Sequence, residues 1–148
     1  VTHLLDANVL IALFDGDHLQ HREVRDWFAG LEGGFATCPL VQGALVRWLI
    51  RIEGPAGPAA AVAELERLGK DPRHRFWADG LTFTEADWRG VVGHRQVTDA
   101  YLASLARSRR GRLATLDRGL ATLDRGLAAL HADVADLIGS PTLQPSRG

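Results

Sequence analysis

The chain has 148 residues and 46% hydrophobic content, enough for one globular domain with a core that needs neither disulfides nor a structural metal. With 17 Lys and Arg against 18 Asp and Glu the formal charge is −1, which excludes a global basic field, so any nucleic-acid contact must be local. The single cysteine, Cys38, excludes an intramolecular disulfide and a thiolate zinc cluster and points to the cytoplasm, and no run approaches the ~20 apolar residues of a membrane span. The chain opens on Leu4-Leu5-Asp6-Ala7-Asn8, followed by the apolar Val9 to Phe14. This pattern predicts a buried parallel strand passing into a helix, with Asp6 at the junction. There an Asp either caps the helix or faces the crevice in which open α/β sheets bind ligands.

After a turn at Asp15-Gly16-Asp17, Val24, Trp27, Phe28 and Leu31 predict an amphipathic helix over residues 18–31. Gly33-Gly34 ends it, Phe35-Ala36-Thr37-Cys38 reads as a short strand, and Pro39 opens a helix carrying Val41, Leu45, Trp48, Leu49 and Ile52. A break from Gly54-Pro55 to Gly57-Pro58 precedes an Ala-rich helix over 59–68. Arg75-Phe76-Trp77-Ala78 predicts a third strand, and residues 85–92 read as helical. Residues 96–109 form a stronger helix with Tyr101, Leu102, Leu105 and Ala106 at recurring positions, followed by a strand over 112–116 that ends at Asp117. Residues 133–138 read as an edge strand, and 139–148 as a flexible tail beyond a domain of residues 1–138. The alternation predicts an α/β fold, a mostly parallel sheet of four or five strands with helices on both faces.

One repeat interrupts this order. Ala114-Thr115-Leu116-Asp117-Arg118-Gly119-Leu120 recurs unchanged as Ala121-Thr122-Leu123-Asp124-Arg125-Gly126-Leu127, so either Asp117 or Asp124 can supply the strand-end carboxylate. Asp99, at the start of the strong helix beside Thr98, is a second acidic position, and a cap there is its ordinary role. Asp6, Asp99 and Asp117 taken together make an acidic pocket. Clustered carboxylates repel and raise one another's pKa, and a divalent cation relieves the conflict. Hard oxygen donors favour Mg2+ or Mn2+, ions that pair with phosphate substrates.

The segments Leu4 to Leu13, Thr37-Cys38-Pro39-Leu40, Gly93 to Leu102 and Gly111 to Asp117 resemble those of PIN-domain ribonucleases, and most closely the VapC-type toxins of toxin–antitoxin pairs. The resemblance runs from Thr2 to about Ile138. It implies a PIN-like three-layer α/β/α fold, Mg2+- or Mn2+-dependent cleavage of RNA, inhibition by a VapB-type antitoxin and a homodimer. Carried over by position, Asp6, Asp99 and Asp117 are the metal carboxylates, with Asn8 and Thr98 as supporting polar groups. The family commonly places a Glu on the helix after the Thr-Cys-Pro segment, where this chain has Gln42, a neutral amide that adds hydrogen bonds but no charge.

The remaining signals have ordinary readings beside functional ones. Arg107, Arg109, Arg110 and Arg112 suit either a solvated helix end or RNA phosphate contacts, and Arg47 and Arg51 suit surface ion pairs or contacts to RNA or antitoxin. His18 and His21 lack a third ligand nearby and read as surface residues. Trp27, Trp48, Trp77 and Trp88 read as core or interface, and Cys38 as a packed small residue. Beside the nuclease stands a catalytically impaired module that binds antitoxin or RNA, motivated by Gln42 and the repeat. A phosphoacceptor receiver domain also places acids at strand ends, but it would call for an early acidic pair and a late Lys, and the only lysine is mid-chain Lys70.

Overall fold

The structure is a computed structural model, and it describes residues 1–117 and 131–139. In chain order the elements are β1 (His3–Leu5), α1 (Ala7–Phe14), α2 (His21–Ala29), β2 (Phe35–Thr37), α3 (Pro39–Glu53), α4 (Gly57–Gly69), β3 (His74–Phe76), α5 (Val97–Ser108), β4 (Arg112–Thr115) and β5 (Ala135–Leu137). Short 3-10 turns at Gly54–Ala56 and His94–Gln96 lead into α4 and α5. The five strands form one sheet in the order β3-β2-β1-β4-β5, and every pairing is parallel. β1 is central, with His3 in register with Phe35 of β2 and Arg112 of β4.

Parallel strands need crossovers, and their handedness sorts the helices into layers. The chain steps outward from β1 through β2 to β3, then returns over the sheet to β4 on the other side of β1. Right-handed connections running in opposite directions lie on opposite faces. Accordingly α1 packs on α2 and α3, and α3 on α4, whereas α5 packs on β1 and β4. Three layers result, as the alternation predicted.

Burial follows the composition of each element. Leu4, Leu5, Phe35, Ala36, Leu113 and Ala114 in the three inner strands are fully buried. A sheet covered on both faces calls for such uninterrupted apolar strands. Helix α5 is buried at every residue from Ala100 to Ala106, a run of mostly small side chains that lets it lie close on β1 and β4. The α3–α4 pair is equally tight, because a Cβ at Gly57 would collide with the backbone of Leu49 and Ile50.

The structure departs from the sequence reading in three places. Helix α2 begins at His21 rather than residue 18, because the chain is first turned by bonds from His18 N to Asp15 O and from Gln20 N to the His18 ring. Helix α4 begins at Gly57, inside the Gly/Pro break, with Pro58 in its first turn where a missing N–H costs nothing. Residues 85–92 are not helical. Gly90 takes a left-handed φ of 80°, and Asp87 N donates to Ser104 Oγ, which ties the segment to α5. The edge strand β5 sits where it was expected. The second copy of the repeat, with Asp124, and residues 140–148 of the predicted tail lie outside the described residues. No helix among the described residues is long and apolar enough to cross a membrane.

Candidate active site

The strand order reverses between β1 and β4, and in an open parallel sheet the carboxyl ends of two such strands border a crevice. Asp6 follows β1 directly, and its backbone N–H continues the ladder by donating to Ala114 O at 2.9 Å. One carboxylate oxygen, Oδ1, accepts from Ala7 N at 2.7 Å and caps α1. The other, Oδ2, accepts from Thr115 Oγ1 at 2.8 Å. Capping and facing the crevice, alternatives in the sequence, are thus performed by one side chain. Asp6 is only 5% exposed, and burial pushes its pKa up against the opposing pull of Thr115 and Ala7, with the charge of Asp117 adding to the rise.

Thr115, the fully buried last residue of β4, links two acids. Its hydroxyl donates to Asp6 and accepts from Asp117 N at 2.9 Å, so the chain beyond β4 is folded back toward the end of β1. Asn8 Oδ1 accepts from Leu116 N at 3.3 Å and holds the same turn from the α1 side. Sequence reasoning passed over Thr115 as a site residue. The available signal was a hydroxyl at the end of a strand, two residues before an acid.

Asp99 is the third residue of α5, and the capping position belongs to Gln96, which makes no side-chain cap. The Asp99 carboxyl is therefore not consumed by the helix end. Its pKa is pushed up to about 7, first by burial, then by the charges of Asp6 and Asp117 and by a hydrogen bond with Asp117 that favours the protonated form. The structure thus brings Asp6, Asp99 and Asp117 within electrostatic reach of one another, with Asn8 beside them. Thr98 is exposed on the surface of the helix.

Gln42, in the first turns of α3, points its amide elsewhere: Nε2 donates to Thr37 Oγ1 at 3.1 Å and makes no bond to the three acids. The arginines divide. Arg47 and Arg51 are exposed on α3, and neither forms an ion pair among the described residues. Arg107 pairs with Asp133 at 2.9 Å and lies against the His131 ring, Arg109 donates to Ala78 O, and Arg112 grips Asp136. Arg110 is exposed at a left-handed φ of 55°. His18 and His21 serve the turn before α2, His21 bonding to Ala12 O. Cys38 is buried with its thiol pushed up to about 11 by that burial, which leaves it unreactive. Trp77 is in the core, and Trp27, Trp48 and Trp88 are partly buried against it.

Three neighbouring carboxylates, with Asp99 raised to about 7, form a donor set that fits a divalent cation, whose charge would let Asp99 release its proton. Among the described residues, no three His, Cys, Asp or Glu side chains are gathered closely enough to enclose an ion by themselves.

Comparison with known proteins places these features in a family. The PIN domain family model matches residues 3–126. Ribonuclease VapC29 of Mycobacterium tuberculosis is 51% identical over 144 residues, covering 96% of this chain and all of that protein. Ribonuclease VapC38 of the same organism is 42% identical over 121 residues, 79% of this chain and 86% of the relative. Among solved structures, the chain superposes on M. tuberculosis VapC20, described as a sarcin–ricin loop cleaving toxin, with a TM-score of 0.54 at 18% identity, covering 76% of this chain and 87% of that one. It superposes on a chain of a toxin–antitoxin complex from Klebsiella pneumoniae with a TM-score of 0.56 at 17% identity, covering 82% and 92%.

Proposed function

The chain belongs to the PIN-domain family, as a VapC-type ribonuclease, and on that premise we propose that it is an Mg2+- or Mn2+-dependent endoribonuclease, the toxin of a toxin–antitoxin pair. What supports the metal dependence is the convergence of three acids at the ends of β1 and β4 and the start of α5, with Asp6 and Asp117 tied through the Thr115 hydroxyl and the Asp99 carboxyl raised by burial and by both neighbours. Asp6, Asp99 and Asp117 would hold the cation. Bound there, it would polarise a water for attack on an RNA phosphodiester and offset the charge that develops on the phosphate.

The chain's own groups prepare that site. Thr115 fixes the Asp6 carboxylate and the Asp117 backbone in one arrangement, which removes reorganisation from the reaction. Asn8 steadies the turn that carries Asp117. Gln42 contributes a neutral oxygen donor, and Thr98 a surface hydroxyl at the start of α5. Arg47, Arg51 and Arg110, exposed and cationic, suit RNA phosphate, a planar fork of donors being well matched to it. Arg107, committed to Asp133, is the weakest of the four candidates for this role. A VapB-type antitoxin is the expected partner, supported by the likeness to a chain of a toxin–antitoxin complex, and a homodimer is the expected assembly.

The test is RNA incubated with the protein and Mn2+, with a chelator control. Cleavage that the chelator stops supports the reading. RNA bound but left intact would favour the alternative that the neutral Gln42 motivates, a catalytically impaired module that binds antitoxin or RNA.

A further inference from the structure

A second buried threonine ends the strand on the other side of β1. Thr37 closes β2 and is fully buried, and its hydroxyl stands between two partners, Gln42 Nε2 at 3.1 Å and His74 Nε2 at 2.8 Å. A hydroxyl has one proton to give, and an amide NH2 group can only donate. Thr37 accepts from Gln42, and His74 Nε2 is the one other partner of its hydroxyl among the described residues; a Thr37 proton given to it requires Nε2 to be the bare nitrogen of a neutral ring protonated at Nδ1. The His74 ring packs against Phe35 with centroids 5.3 Å apart, and the charged groups acting on it are Asp71 and Arg75. With Nε2 engaged, Gln42 keeps its carbonyl oxygen Oε1 without a protein partner among the described residues.

We propose that Thr37 and His74 are positioning residues for position 42, joined in a one-way hydrogen-bond relay from Gln42 through Thr37 to His74 that leaves Oε1 available as a neutral oxygen donor. The use of that oxygen rests on the ribonuclease reading, whereas the relay belongs to the metal-free chain. Its direction depends on the side chain at 42. A carboxylate has no proton to donate, so in Gln42→Glu the Thr37 hydroxyl must turn toward Glu and His74 must supply an Nε2–H in its place. Residue 42 and residue 74, on a helix and on an outer strand, are thereby coupled through one buried hydroxyl.

Nitrogen-15 NMR of the imidazole rings in the metal-free protein tests this, with His74 assigned by the signal that His74→Gln removes. In the wild type His74 Nε2 should carry no proton, and in Gln42→Glu the proton should move from Nδ1 to Nε2. Thr37→Val should abolish that dependence and Thr37→Ser retain it. If Thr37→Val fails to fold, the comparison of wild type with Gln42→Glu decides alone. An Nε2–H in the wild type, or the same tautomer in both proteins, overturns the relay. For the positioning role, Thr37→Val should weaken Mn2+ binding about tenfold in calorimetry, the scale of losing a group that orients a metal's surroundings, while Thr37→Ser preserves it. Equal affinity in all three overturns that role. A failed chelator test with the tautomer switch intact would instead strike the ribonuclease reading alone.

Discussion

The two sides of β1 are built with the same device and differ in charge. On the β4 side, buried Thr115 holds an acid, Asp6, and draws Asp117 to it, and Asp99 is pushed up to about 7 between them. On the β2 side, equally buried Thr37 accepts from the neutral amide of Gln42 and bonds to His74 Nε2. One half concentrates negative charge in a site that water only partly reaches. The other offers oriented dipoles without charge. A strand-end hydroxyl is thus indifferent to the charge it orients, and the proposed cation site belongs to the acidic half alone.

The largest effect that sharpens this contrast should come from Asp117→Asn, which removes one pole of the acidic half. Cleavage should fall by roughly 10²–10³-fold, the scale of deleting one preorganised electrostatic group, while Asp124→Asn leaves it unchanged. The reverse outcome in an RNA cleavage assay would move the strand-end acid to the second copy of the repeat. Next, Thr115→Val leaves an oxygen of Asp6 buried without its donor and should cost about 1–3 kcal/mol in denaturant unfolding. A loss near zero would mean that the hydroxyl does not hold the carboxylate.

A smaller effect concerns pH. Because the folded pKa of Asp99, about 7, lies above the unfolded value near 4, the folded state binds the extra proton between them. Stability of the metal-free protein should therefore decline as pH rises from about 4 to about 7, and Asp99→Asn should flatten that decline, as followed by thermal unfolding. A profile that rises through this window in the wild type and is unchanged in the variant would break the electrostatic account. Smallest is Gln42→Glu, which should leave the fold unaltered and tighten Mn2+ binding by extending the charge across β1. Calorimetry showing no gain would mean that position 42 stands apart from the ion.

Much of this was legible along the chain, and the reason is local. An apolar run ending in Asp6 and then a helix forecasts a strand end, and a five-stranded parallel sheet follows from the alternation of such units. What escaped detection depends on pairing between distant segments. Thr37 and His74 lie on adjacent strands 37 residues apart, and nothing in either stretch announces the bond. Thr115 lay inside a motif that was read, yet its partner is 109 residues away. The missing helix at 85–92 shows the same limit from the other side, since the segment is tied instead to Ser104 on α5, 17 residues away, through the Asp87 amide. Local pattern also posed capping and site chemistry as rivals at Asp6, although a carboxylate has two oxygens and uses one for each.

Asp6, Asp99 and Asp117 are proposed to share one divalent ion. Calorimetric titration of Mn2+ at pH 6, repeated in buffers of different ionisation enthalpy, counts the protons released on binding. Wild-type protein should release about one proton per ion more than Asp99→Asn, as Asp99 ionises, and the variant should bind far more weakly. Binding of equal strength in both proteins, with equal proton release, would contradict the account.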